Sequence, residues 1–270
     1  AISFGKDVSA FTRNAHYFQP FNLFGYSEDF VNASTTWNHH GTATMPDGTK
    51  STEPQPPTLA ASVVPGPYDT GDAKTASQLT VFNPGNVYIT QHFTDFQASG
   101  TTYTYSLFVK AHPDTPDGQR FELQMALRNT LGKSQRQINA NWTWEKKKLT
   151  PLSFSIKNVN ATFLEDVGNG WYRVGIVGNH SDFGDWDRMN FDIYPAGYHN
   201  PNSGEVNPLH TGAIYIWGAQ LEFGNHMTPY KAVFGATDTS LGTDQINTLL
   251  TSTIDGRDNM IRVSGPAGVS

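Results

Sequence analysis

The sequence predicts an all-β protein, a sandwich of two antiparallel sheets. Three observations lead to this prediction. Many short segments alternate apolar and polar residues, turn residues separate these segments, and almost no helical pattern is present. The composition agrees, because 270 residues include 25 glycines and 16 prolines, with 13% aromatic and only 16% charged residues. A chain of this kind has the turns and side chains that many short strands need.

The alternation is clearest in two segments. In TYTYSLFVK, residues 102–110, the side chains of Tyr103, Tyr105 and Leu107 fall on one face of a strand. The segment FELQMALRN, residues 121–129, repeats the pattern. A period of two with one polar face is typical of half-buried antiparallel strands.

Applied along the whole chain, the same rule gives a dozen candidate strands, several of them separated by turn sequences such as the Gly-Asn-Gly at 168–170. In chain order the candidates are residues 21–26, 58–64, 77–82, 87–96, 102–110, 120–128, 137–144, 151–157, 161–166, 171–178, 189–194 and 213–223. In the last of these, Ile214, Ile216, Ala219 and Leu221 are predicted to face the core, Tyr215 and Trp217 the other side, and Gly218 to mark a bulge.

Charge and composition exclude several classes of function. The net charge of −6 argues against a nucleic acid or an anionic membrane as partner, since both favour a basic surface. The only basic run, Lys146-Lys147-Lys148, fits a solvated turn better than a phosphate site. The absence of cysteine excludes a thiol nucleophile and a cysteine zinc site. No apolar run approaches the roughly 18 residues of a membrane helix, so membrane insertion is not expected.

The two ends of the chain differ from the middle. Residues 1–20 have no sustained period and are predicted to form an N-terminal arm, whereas residues 21–234 form the sandwich. Residues 235–270 are predicted to form a C-terminal arm with a short helix at 244–252, too small to fold alone. Its apolar side chains are therefore expected to pack against another chain in oligomerisation or docking, chiefly Ile246, Leu249, Leu250 and Ile254.

Four segments occur in an order that resembles a known family. They are NLFGYSEDFVNASTTW at 22–37, TYSLFVKA at 104–111, LEDVGNGWYRVGIVG at 164–178 and AIYIWGAQLEFGNHMTPY at 213–230. The order resembles the carbohydrate-binding-module-like jelly-roll domain of tailed-phage virion proteins, notably tail fibres. The resemblance implies a jelly-roll fold, a non-enzymatic structural role in a bacteriophage virion, a homotrimer and other virion proteins as partners.

Three functions follow from this resemblance. The favoured one is a structural component of a tail fibre or similar appendage that also binds a host-surface glycan for attachment. The alternative is a capsid or collar decoration or adaptor protein with no ligand. The third is an enzyme that degrades polysaccharide, but G-x-S-x-G, H-E-x-x-H and phosphate-loop motifs are absent, so neither an enzyme nor a cofactor is expected.

Four aromatic residues are candidates for carbohydrate binding. Trp142 and Trp144 alternate and so share one strand face, which makes a stacking platform if that face is exposed and two core tryptophans if it is buried. Trp186 and Tyr198 are placed on loops, where an aromatic ring is also available to a sugar.

Two segments are candidate metal sites, and neither gives a firm ligand set. His39 and His40 are adjacent, so in a strand their side chains point to opposite faces and do not share a zinc ion. The segment HSDFGDWD, residues 180–187, gathers carboxylates that suit a structural calcium ion, although its spacing does not match an EF-hand. A solvated loop is the favoured interpretation of this segment.

Overall fold

The structure is a computed structural model that describes residues 22–31, 37–93, 102–129, 134–152, 159–179, 186, 188–200, 204 and 208–233. The side chains of residues 134–137, 159–160 and 208 are excepted. These residues fall within one compact unit, Phe21–Thr237. The arms predicted at 1–20 and 235–270 lie outside the described residues, so the domain boundaries stay predictions. Over the described ranges, no helix has the length and apolar character to cross a membrane.

The described residues form strands and one short 3-10 helix, Pro208–His210. The strands are β1 (Asn38–Ala43), β2 (Thr58–Val64), β3 (Ala76–Val81), β4 (Gly85–Phe93), β5 (Thr102–Ala111), β6 (Arg120–Arg128), β7 (Ser134–Glu145), β8 (Lys148–Pro151), β9 (Val159–Gly168), β10 (Trp171–Asn179), β11 (Arg188–Tyr194) and β12 (Gly212–Phe223).

Two antiparallel sheets of six strands each face one another. The first sheet has the order β1-β4-β11-β6-β7-β8, and the second has the order β2-β3-β12-β5-β10-β9. The chain passes from one sheet to the other repeatedly, so most neighbours within a sheet are distant in sequence. This is the predicted jelly-roll sandwich.

The core lies between the sheets and follows the predicted alternation. In β5 the side chains of Tyr103, Tyr105 and Leu107 are fully buried in the main core cluster. In β12, Ile214, Ile216, Ala219 and Leu221 join the same cluster. Tyr215 and Trp217 lie on the outer side of the second sheet, in a smaller cluster with Phe108 and Trp171. Both predicted faces of β12 are therefore confirmed.

The bulge predicted at Gly218 is also present. Trp217 pairs with Phe108 and Gln220 pairs with Ser106, so two residues of β12 lie opposite one residue of β5. Gly218 has a φ of 57°, which favours glycine. A Cβ at this position would lie 3.0 Å from Cζ of Tyr230. The bulge thus needs glycine for both its backbone angle and its packing.

The side chain of Asn22 fixes the segment before β1 to this bulge. Its Nδ2 donates to the carbonyl oxygens of Ala219 (2.8 Å) and Lys231 (3.0 Å). Its Oδ1 accepts from the backbone N–H groups of Phe24 (3.0 Å) and Leu221 (3.1 Å). All hydrogen-bonding positions of the amide on this buried side chain are therefore used, and three of the four partners are remote in sequence.

Three sequence predictions of strands need correction. The strand predicted at 21–26 is wrong, because residues 22–24 are irregular and residues 25–28 bend and turn beside β12. β1 was not predicted; its sequence NHHGTA has no apolar alternation and becomes a strand by pairing with β4. β8 occupies 148–151 instead of beginning at 151, since Lys146 and Lys147 have positive φ values and close a hairpin with β7.

His210 is a buried histidine outside any sheet. Its Nδ1 lies 3.0 Å from the carbonyl oxygen of Ala196, which can only accept, so Nδ1 carries the proton of the neutral ring. Burial lowers the pKa of His210 from 6.5 to about 4, and the nearby positive potential of His199 and Arg120 adds to this effect. The folded protein therefore holds this ring neutral at pH values where an unfolded chain protonates it.

Replacing Asn22 by Ala is predicted to lower the free energy of unfolding by about 2–4 kcal/mol, since several buried backbone groups lose their partners. Urea denaturation monitored by tryptophan fluorescence measures this change. Asn225→Ala, at an exposed asparagine, is the matched control and should stay within about 0.5 kcal/mol of the parent. Equal effects of the two substitutions would contradict a specific role for Asn22.

Because the folded pKa of His210 lies below the unfolded value, the unfolded chain binds more protons between pH 6.5 and about 4. Stability is therefore fully present above pH 6.5 and is lost as the pH falls through this window. In His210→Asn, whose amide nitrogen can still donate to Ala196, the decrease in Tm between these pH values should be smaller. The exposed His226→Asn should retain the parent profile; a parent-like profile in His210→Asn would rule out this source of acid sensitivity.

Candidate functional site

The outer face of the first sheet carries a row of polar side chains. Thr90 of β4 pairs with Asp192 of β11, Asp192 with Gln124 of β6, and Gln124 with Asn139 of β7. Their sequence neighbours, including Ile89, Ile193 and Leu123, lie in the core on the opposite side. All four polar side chains are buried. We refer to them as the polar row.

A cleft of about 380 Å³ opens beside the polar row. It lies over β1, β4, β11 and the end of β6, where outward-facing side chains from non-consecutive strands meet. The cleft is lined by Asn38, His40, Tyr88, Thr90, His92, Arg128, Asn129, Arg188 and Asn190. This lining combines aromatic rings, amides and two guanidinium groups, which is typical of a site for a polar ligand.

Four rings form a continuous aromatic ladder along one side of this face. The ring of His40 stacks on Tyr88 at 5.0 Å with an interplanar angle of 18°. Tyr88 contacts Tyr194 at 4.8 Å, and Tyr194 contacts Tyr198 edge-on at 5.7 Å. His40 is exposed and Tyr198 is half-buried, so both ends of the ladder reach solvent. The ladder offers apolar ring surface next to the polar row.

Several buried polar atoms on this face have no hydrogen-bond partner. They are Oε1 of Gln124, Oδ1 of Asn139, Oδ1 of Asn190, and the Nε atoms of Arg128 and Arg188. Buried polar groups in proteins are nearly always paired, because an unpaired one costs about 1–3 kcal/mol. Three acceptors and two donors close together on one face therefore suggest a ligand that brings both kinds of group.

Two carboxylates of the outer face, those of Asp192 and Glu122, are held by neighbouring groups. Oδ2 of Asp192 accepts from Nε2 of Gln124 at 2.9 Å and lies 3.8 Å from a guanidinium nitrogen of Arg128. Oε1 of Glu122 accepts from Nδ2 of Asn139 at 2.8 Å, and Oε2 accepts from the backbone N–H of Tyr198 at 3.3 Å. These contacts fix the two carboxylates and orient the amides of Gln124 and Asn139.

The titratable rings of the cleft are neutral near pH 7. Burial raises the pKa of Tyr88 to about 12, and the negative charge of Asp192 adds to this shift. Burial lowers the pKa of His40, and the charges of Arg128, His39 and Arg188 lower it further. Burial and the charge of Arg188 lower the pKa of His92 in the same way. At neutral pH the positive charge of the cleft therefore comes from its arginines.

Trp142 and Trp144 are core residues. Both are fully buried between the sheets, with Trp142 against Phe121 at 5.7 Å and Trp144 against Tyr172 at 6.2 Å. The condition for a stacking platform, an exposed face, is not met, and the alternative of two core tryptophans applies. A glycan has no access to these rings in this structure.

The other candidate residues have different outcomes. Tyr198 lies at one end of the aromatic ladder, next to the polar row. Trp186 is partly buried against the core. Ile246, Leu249, Leu250 and Ile254 lie outside the described residues, as does the segment 180–187 apart from Trp186. Among the residues that are described, no group of three or more His, Asp or Glu side chains is arranged to hold a metal ion.

Most residues of the cleft were not singled out by the sequence analysis. A usable signal was present in two strands whose outward positions are all polar or aromatic: Tyr88, Thr90 and His92 in β4, and Arg188, Asn190 and Asp192 in β11. What the sequence does not contain is the pairing of β11 with β4, which places the two sets side by side.

Comparison with solved structures returns carbohydrate-binding modules. The CBM22-2 xylan-binding domain of Paenibacillus barcinonensis Xyn10C matches with 13% identity and a TM-score of 0.44, covering 75% of this chain and 99% of that one. The CBM22-1–GH10 modules of Clostridium thermocellum endo-1,4-β-D-xylanase 10B, complexed with xylohexaose, match with 10% identity and a TM-score of 0.42. That match covers 77% of this chain and 29% of the other.

A further match is a CBM28 carbohydrate-binding module specific for non-crystalline cellulose. It has 12% identity and a TM-score of 0.35, over 76% of this chain and 94% of that one. No protein-family model and no curated protein sequence matches this chain.

Proposed function

We propose that this protein is a non-catalytic module that binds a glycan in the cleft on the outer face of its first sheet. The observation that carries the proposal is the combination of the aromatic ladder with the unpaired buried polar atoms of Gln124, Asn139 and Asn190. The ring surface and the unpaired polar atoms lie side by side, and together they match the two chemical faces of a sugar.

A pyranose ring needs both features at once. Its hydroxyl groups are donors and acceptors at fixed spacing, so they pair well with side-chain amides and guanidinium groups, which also present donors and acceptors in a plane. Its C–H face is apolar and packs against aromatic rings. The cleft presents Asn190, Arg128 and Arg188 as polar partners and the rings of His40 and Tyr88 as apolar partners.

The arrangement of the carboxylates supports binding over hydrolysis. A glycosidase needs two carboxyl groups that flank the bond to be broken, one of them free to donate a proton. Asp192 and Glu122 instead accept hydrogen bonds from Gln124 and Asn139 and are buried beneath the face. Their role in this geometry is to fix the amides of the polar row.

The biological setting of this module is proposed from the sequence. The order of the four segments at 22–37, 104–111, 164–178 and 213–230 supports a place in a phage virion, in a tail fibre or similar appendage that attaches to a host-surface glycan. The alternatives are a capsid or collar decoration or adaptor protein without a ligand, and an enzyme that degrades polysaccharide. The cleft favours the version with a ligand.

Binding of the protein to an array of bacterial surface polysaccharides tests the proposal. We expect a glycan to bind, and Asn190→Ala and His40→Ala each to weaken it about tenfold, since each removes a direct contact. Titration calorimetry with the best glycan measures these changes.

The matched control is Tyr68→Ala. Tyr68 is an aromatic residue that is 57% exposed and contacts Phe108 and Trp217 on the second sheet. It should leave the affinity unchanged. If Tyr68→Ala abolishes binding and the two cleft substitutions do not, the site lies on the other sheet. Release of oligosaccharides from the bound polysaccharide would favour the enzyme.

A homotrimer is proposed on the same resemblance. Sedimentation should give a trimeric mass for the full chain, and deletion of 236–270 should yield a folded monomer, because the deleted segment is proposed to supply the contacts between chains. Near-identical circular dichroism of the two proteins is the control for folding. A truncated protein that remains trimeric would show that this segment does not hold the assembly together.

A further inference from the structure

Two arginines lie side by side on adjacent strands of the cleft. Arg188 opens β11 and Arg128 closes β6, and the two are direct partners in the register of these strands. Both side chains line the cleft. Like charges in directly opposed positions of a sheet repel, so such a pair is unfavourable unless a negative group compensates it.

Among the described residues, a carboxylate compensates only one of these charges. Asp192 lies 3.8 Å from Arg128 and is shared with Gln124. Within the described part of the chain, Arg188 makes no ion pair with a carboxylate. The Nε atoms of both arginines also have no hydrogen-bond partner. The cleft therefore holds one more positive charge than the described residues balance, although the whole chain carries a net charge of −6.

The other described residues that line the cleft do not supply the missing negative charge. His40 of β1 and His92 of β4 face the same cleft, and both are neutral at pH 7 because burial and the arginine charges lower the pKa of each. Tyr88 stays protonated, since burial raises its pKa to about 12. The remaining lining residues, Asn38, Thr90, Asn129 and Asn190, are uncharged.

We propose that the cleft selects an acidic sugar, with a carboxylate of the glycan lying between Arg128 and Arg188 and its hydroxyl groups on Asn190. This inference rests on the proposed glycan function and adds the class of sugar to it. A carboxylate is planar and accepts two parallel hydrogen bonds from a guanidinium group, which is the geometry that the free Nε atoms offer.

The size of the cleft fits a sugar carboxylate rather than a bare ion. About 380 Å³ is far larger than an inorganic anion requires and is at the lower end of the range for small-ligand sites. The buried Oδ1 of Asn190, which is unpaired, needs a donor. A hydroxyl group supplies this donor, whereas a fully ionised inorganic anion has none.

The test compares each acidic glycan with its neutral ester. Oligosaccharides of glucuronate and of galacturonate, and the methyl esters of both, are titrated into the full chain. We expect at least one acid to bind about tenfold or more tightly than its ester, because the ester loses the charge-assisted bonds but keeps the ring and hydroxyl groups. Added salt should weaken the binding of the acid and leave the binding of the ester nearly unchanged.

Substitutions at Arg188 locate the effect. Arg188→Gln should weaken binding of the acid about tenfold more than binding of the ester, and so remove the preference for the acid. Arg188→Lys should keep the salt dependence but recover only part of the affinity for the acid. Lys74→Gln removes one exposed positive charge from the loop between β2 and β3 and is the matched control. It should bind the acid as the parent does.

The outcomes separate this inference from the proposed function. If esters or other neutral glycans bind as tightly as the acids, and Asn190→Ala weakens them, the glycan function stands and the acidic class is wrong. A preference for the acid that survives in Arg188→Gln also overturns the inference. If no glycan of either kind binds, including host polysaccharide, both proposals fail.

Discussion

The bulge in β12 is the constraint on which the rest of the fold depends. β12 is paired with β3 on one side and β5 on the other, and it contributes side chains to the main core cluster and to the cluster on the outer side of the second sheet. The regular pairing of β12 with β3 ends at Ile216, just before the bulge. Beyond it, the side-chain amide of Asn22 hydrogen-bonds the carbonyl oxygen of Ala219 and the N–H of Leu221. Gln220 accepts from the backbone of Lys231 on the other face. The segment before β1 and the segment after β12 are thus both fixed to one strand.

The outer faces of the two sheets differ in how they are covered. On the second sheet, Phe108 and Trp217 lie under Tyr68 and Tyr230, and the indole N–H of Trp217 donates to Thr75. This part of the second sheet is packed by the chain's own loops, and beside it a cleft of about 390 Å³, lined by Lys110, His112 and Tyr215, is open. The outer face of the first sheet is polar and has an open cleft. Both sheets give one face to the shared core, so only the remaining faces can specialise. The outer face of the first sheet is the one that combines a cleft with the aromatic ladder and the polar row.

Local patterns determined how much the sequence could predict. Strands such as β5 and β6 were predicted almost to the residue, because alternation is a property of the strand itself. β1 was not, since its strand conformation comes from pairing with β4. Alternation also showed that Trp142 and Trp144 lie on the same face of their strand. It could not show whether that face is buried or exposed, because the two faces of a strand are equivalent until the sheets pack. The cleft depends on neighbours that are remote in sequence.

The polar row lowers the stability of a sheet that serves only as structure, but it suits a sheet that binds a ligand. Burying Asp192, Gln124 and Asn139 requires that each be hydrogen-bonded, and the acceptors left unpaired on Gln124 and Asn139 lower the stability of the free protein. Apolar residues at these positions would pack without this cost. A sheet that has polar residues at these positions gains stability when a hydroxyl-rich ligand binds to them. In the proposed function, ligand binding and folding are coupled through the same side chains, because the groups that weaken the empty sheet are those that a glycan would satisfy.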